Sequence, residues 1–226
     1  MVALLAVSGL AEIVELYSTE MEKKAEAGDA DAQCSLGFCY AAGIQVPKDF
    51  NKALNLYTKA AEQGNGKAQF ALGNIYSGGN GIVKDEGEGF KWFMKAAEQG
   101  YAAAMNTIGA CYMQGRGVPR DDKEAVKWFE KAAAKGDKGG QFNLGDCYRI
   151  GLGVPKDEKE ALKWLLKVAE RGGPGPGEDA QRIVGDFYKN GVGTAKDEKE
   201  AVKWYTKAAE QGDEEAKKQL DLLKSK

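Results

Sequence analysis

Residues 101–136 read YAAAMNTIGACYMQGRGVPRDDKEAVKWFEKAAAKG, and residues 137–172 read DKGGQFNLGDCYRIGLGVPKDEKEALKWLLKVAERG. The second stretch restates the first. Ile108-Gly109 returns as Leu144-Gly145, Tyr112 as Tyr148, Gly115 and Gly117 as Gly151 and Gly153, Asp121 as Asp157, and Trp128 as Trp164. Working outward, the same landmarks recur in 29–64, 65–100 and 173–212, the last lengthened by Gly173-Pro174-Gly175-Pro176 at its start. A fixed period in this range is the signature of stacked units, each of which buries its apolar face only against its neighbours.

Each unit predicts two helices. The first carries an apolar-Gly pair (Leu36-Gly37, Leu72-Gly73, Ile108-Gly109, Leu144-Gly145, Val184-Gly185), with Tyr40, Tyr76, Tyr112, Tyr148 or Tyr188 three residues later. Ala32, Ala68, Ala104 and Ala180 stand four residues before the apolar member, with Gly140 in the fourth unit, so one stripe of a helix is apolar or small. A mid-helix Gly costs up to about 1 kcal/mol relative to Ala. Its recurrence predicts a partner helix too close for a Cβ. A Gly-rich turn follows, and then Asp49, Asp85, Asp121, Asp157 or Asp197 as N-cap of the second helix. Glu88, Glu124, Glu160 and Glu200 three residues on have capping-box spacing. Trp92, Trp128, Trp164 and Trp204, with Leu56 in the first unit, are assigned to the core between the paired helices, as are the tyrosines.

This pattern, Ala…Leu-Gly-x-x-Tyr…Gly-x-Gly-Val…Asp…Lys-Glu-Ala-x-x-Trp…Lys-Ala-Ala…Gly, resembles the Sel1-like repeat, a relative of the tetratricopeptide repeat. The resemblance implies an all-α, right-handed α-solenoid of antiparallel helix pairs, a tetratricopeptide-like superhelix used as a protein-interaction scaffold. With a capping helix in 1–28 and another in 213–226, the chain is expected to form one solenoid of about twelve helices. Met1 to Ala11 is apolar, but it lacks a basic n-region and is followed at once by Glu12 and Glu15. It is therefore assigned to the N-terminal cap rather than to a secretory signal.

Composition removes several functional classes. There is no His among 226 residues, which excludes Ser-His and Cys-His nucleophile pairs and His-ligated metals. A net charge of −2 lacks the basic footprint of nucleic-acid binders. No apolar run reaches the roughly 18 residues of a membrane span. Cys39, Cys111 and Cys147 share a position held by Ile75 and Phe187 elsewhere, which marks a buried apolar slot. Four thiols without a disulfide framework fit a reducing compartment, and the cytoplasm is the expected location. Some cysteine-rich Sel1-like proteins carry a Cys pair in each unit and are linked to β-lactams. The pair is absent here, which disfavours the alternative of a β-lactam- or carbohydrate-binding or -hydrolysing module. An idealised repeat protein without a partner is the other alternative.

The expected function is a non-catalytic adaptor, without cofactor or metal, that binds a protein or an extended peptide on its concave face. By analogy with tetratricopeptide geometry, first-helix positions between the core residues line that face. They offer Phe70, Asn74, Asn106, Met113 and Phe142 for apolar side chains and backbone hydrogen bonds. Asp146, Arg149, Arg182, Asp186 and Lys189 suit a charged segment. These positions vary between units, whereas the core positions recur. The oligomeric state is left open.

Overall fold

The computed structural model describes residues 19–79 and 81–224, and among them every regular element is a helix. Helix α1 is described over residues 19–26. It is followed by α2 (Ala30–Ala42), α3 (Phe50–Glu62), α4 (Gly66–Gly78), α5 (Glu86–Glu98), α6 (Ala102–Gln114), α7 (Asp122–Ala134), α8 (Lys138–Ile150), α9 (Glu158–Arg171), α10 (Pro176–Asn190), α11 (Glu198–Glu210) and α12 (Glu214–Lys224). The assignment of Met1 to Ala11 falls outside the described residues. None of the described helices is long and apolar enough to cross a membrane. The tertiary contacts group into two units, Met1–Ala104 and Met105–Lys226. Within the first, α2 packs on α3, α3 on α4 and α4 on α5; within the second, α7 through α12 pack in succession. The fold class is thus an all-α helical repeat, as the periodicity predicts.

The turn inside each repeat is closed by the backbone. The amide of Asp49, Asp85, Asp121, Asp157 or Asp197 donates to the carbonyl of the Tyr nine residues earlier at 2.8–3.0 Å. The same Asp accepts from the N3 amide of the helix it opens, as in Glu124 N to Asp121 Oδ1 at 3.0 Å. The N-caps are therefore as expected, but the reciprocal half of the capping box is not made. With the cap amide already given to Tyr, the N3 glutamates pair instead with lysines three residues on, Glu88 with Lys91 and Glu160 with Lys163.

The helical glycines do mark close approach, and the residue that approaches is the one after the Trp. A Cβ on Gly73 would meet the Phe93 ring; on Gly109, Phe129 at 2.5 Å; on Gly185, Tyr205 at 2.7 Å. Phe93, Phe129, Leu165 and Tyr205 are all fully buried. This column is the centre of each core, and it corrects the assignment of Trp to that role. Trp92, Trp128 and Trp164 are half-buried, and only Trp204 is buried. Trp92 packs at the edge of a cluster shared by two repeats, with Ala53 and Tyr57 from the preceding one and Leu72 from its own, and Trp164 likewise with Ala125, Phe129 and Leu144. The outer face of each ring is covered by a Lys three residues later at 3.7–4.1 Å (Lys95, Lys131, Lys167, Lys207).

A column of buried glutamines joins successive repeats. Gln33, Gln69, Gln141 and Gln181 each donate through Nε2 to a carbonyl of the helix before, Ala25, Ala61, Ala133 and Ala169 respectively. The amide oxygen of Gln33 accepts from Gln63 at 2.8 Å, that of Gln181 from Gln211 at 2.5 Å, and that of Gln141 from Arg171 at 3.3 Å. Each glutamine thus adds a second donor to a helix-end carbonyl that already accepts from the amide of Gly28, Gly64, Gly136 or Gly172. The Gly-Pro-Gly-Pro insertion stays closed. Lys138 Nζ donates to Gly172 O at 2.9 Å, and Gly177 lies so close to that carbonyl that no Cβ fits. Helix α10 still packs on α9 and α8.

Candidate functional site

The first helices bury Ala, the apolar-Gly pair and Gln on one side and leave the intervening positions half-buried or exposed. In the first unit Phe70 is half-buried, its ring 5.5 Å from Phe93 and 5.1 Å from Tyr101. It is therefore partly a core residue. Asn74 is exposed. In the second unit Asn106 Oδ1 accepts from Asn143 Nδ2 at 2.8 Å, Met113 packs beside Phe129 and Leu144, and Phe142 lies against the cluster of Leu165, Val184 and Phe187.

The charged residues are largely engaged within the fold. Tyr205 donates its hydroxyl to Asp186 Oδ1 at 2.6 Å, and Lys189 Nζ donates to Gln219 at 2.6 Å. Arg182 Nε donates to Asp213 Oδ2 at 2.9 Å, tying α10 to the turn before α12. Arg149 and Asp146 pair with each other at 2.7 Å and remain partly exposed. Such a pair contributes about 0–1 kcal/mol, so a ligand charge could replace either partner. Arg149, Arg182 and Asp186 come together, with Asn190 and Ile183, on a cavity of about 420 Å³.

A second cavity, of about 440 Å³, lies in the first unit between α1, α2, α3 and α4 and reaches Tyr101. Met21, Cys34, Phe38, Ile44 and Tyr57 make it apolar, and Lys67 is the one charged group on its wall. Phe38 is 57% exposed and Ile44 46%. None of these residues is among those singled out from sequence as binding residues. The signal was present in the column that reads Cys34, Phe70, Asn106, Phe142, Arg182: the first member is small where two others are Phe.

Two of the thiols, Cys34 and Cys147, are held in the protonated form by burial. Burial pushes Cys147 up to about 12 and also raises Cys34. None of the four cysteines is in a disulfide. Tyr57 is likewise pushed up to about 12 by burial.

The Sel1 repeat family model matches residues 30–65, 66–101, 102–137, 139–173 and 178–213, leaving out Pro174 to Gly177 between the last two. A Sel1 repeat protein from Oxalobacter formigenes is 34% identical, with a TM-score of 0.77 over 92% of this chain and 86% of that one. The c5321 protein of uropathogenic Escherichia coli, described as a protective antigen with this repeat fold, is 32% identical. Its TM-score is 0.69 over 90% of this chain, which spans 50% of that protein's length. No curated protein matches the sequence. With five matched repeats covering most of its residues and relatives above 30% identity, the chain belongs to the Sel1 repeat family.

Proposed function

We propose that this protein is a non-catalytic adaptor that binds a protein or an extended peptide on the concave face of its first helices, in the cytoplasm with its thiols reduced. Repeats of this family commonly act as interaction scaffolds. The observation that carries the reading is the contrast within each first helix. The positions facing the paired helix hold the same residue types in every repeat. The positions between them run from Phe38 and Asn74 to Asp146 and Arg149, and Phe38 lines one of the two cavities and Arg149 the other. That arrangement gives a repeated frame with a locally specific surface.

Photocrosslinking tests it. Benzoylphenylalanine is placed at Asn74 and Ile150 on first helices, and at Lys91 and Lys163 on exposed faces of second helices. The adaptor reading expects a protein adduct from the first pair only. Adducts from the second pair alone, or from none of the four, sink it.

A further inference from the structure

We propose that the cavity of the first unit takes a peptide segment in which two bulky apolar side chains stand beside an acidic residue. The apolar side chains enter against Cys34, Phe38 and Tyr57, and the carboxylate lies against Lys67. This proposal rests on the adaptor reading and names the chemistry of its partner.

Four observations converge. First, about 440 Å³ is within the range of pockets that engulf a ligand, about 300–1,000 Å³, and it exists because Cys34 stands where Phe70 and Phe142 stand in later repeats. Second, Phe38 and Ile44, two of the most exposed large apolar residues among those described, flank the same cavity. Third, Lys67 is exposed and makes no ion pair or hydrogen bond among the described residues, whereas Lys91, Lys127, Lys163 and Lys203 on the second helices are all paired. A single unpaired cation beside an apolar wall complements an anion. Fourth, Gln45 is the one non-Gly residue at positive φ among those described, +64°. The equivalent position is Gly81, Gly117, Gly153 or Gly193 in the other repeats. A side chain in that conformation is strained. Here the strained residue sets an amide on the cavity wall. Gln45 and Ser35, also on that wall and also unengaged, can hydrogen-bond a peptide backbone. Backbone strain of this kind is retained where it serves a site.

Random peptides displayed on phage and selected on the full chain supply the probe. Enriched sequences are then synthesised with fluorescein and measured by polarisation against wild type, Cys34→Phe, Lys67→Glu, Arg149→Glu and, as a neutral control, Lys123→Glu. Cys34→Phe installs the residue other repeats carry, and Lys67 is exposed, so both variants are expected to fold; circular dichroism checks this. Enriched peptides should share an acidic residue next to two large apolar ones. Cys34→Phe should weaken them at least tenfold. Lys67→Glu should weaken them about fivefold and reverse the preference toward the same peptide carrying Lys in place of the acidic residue. Failure to enrich any sequence, or tighter binding of decanoate than of every peptide, overturns the proposal. Peptides that lose affinity in Arg149→Glu but not in the first-unit variants overturn it while leaving the adaptor reading in place. Peptides insensitive to all of these variants overturn both.

Discussion

At the scale of single residues, small side chains decide what can pack. Gly109 lies against Phe129 and the Ala125 carbonyl, with 2.5 Å and 3.0 Å available to a Cβ. Gly109→Ala should therefore lower stability by about 2 kcal/mol through overpacking, despite the gain in helix propensity. Thermal melts of the two proteins would show it, and an unchanged midpoint would contradict the packing account. Tyr205→Phe removes the hydroxyl that Asp186 accepts from and should cost about 1 kcal/mol by urea titration. The Cys147 thiol carries a pH signature. Its pKa is about 12 in the fold against an ordinary 9.0, so the unfolded chain ionises first. This group's contribution to stability is then complete below about pH 9 and is lost as pH rises toward 12. Cys147→Ala should flatten the decline in urea midpoint over that window; an identical decline in both proteins would contradict the assignment.

At the scale of elements, the link between repeats is polar as well as apolar. Gln181 reaches back to Ala169 O and is itself held by Gln211. Gln181→Leu keeps the volume but removes two buried hydrogen bonds, the one to Ala169 O and the one from Gln211, at a combined cost of about 1–3 kcal/mol. Urea titration should find that loss, and a neutral result would reduce the glutamine column to filler. These glutamines escaped the sequence reading because Gln is ordinarily a surface residue, and only the return of the chain to the previous helix end gives them partners. The Trp column misled for a related reason. Large aromatics are expected inside, yet a Lys one turn later shields the exposed face of each ring while the next residue fills the core.

At the scale of the whole molecule, contacts among the described helices are almost all between neighbours in sequence. Stability in such arrays is close to a sum of repeat and nearest-neighbour terms. Gln181→Leu should accordingly lower amide-exchange protection in α9, α10 and α11 by far more than in α2 to α5. Equal losses throughout would show that the chain unfolds as one cooperative body.

The period, the helix pairs, the caps and the family are all legible in residues such as Leu144-Gly145, Tyr148 and Asp157, because each repeat restates a local rule: a helix stripe, a left-handed Gly, an Asp at N-cap. Five restatements leave little room for another fold. The candidate site was legible only as columns of variable residues. Which of those stay available depended on distant partners: Arg182 is taken up by Asp213 and Phe70 by Phe93 and Tyr101, while Cys34 opens a cavity that Lys67 borders from the next first helix. Local propensity is written along the chain. Whether a side chain is engaged or free is set by residues about thirty positions away, and only packing brings those together.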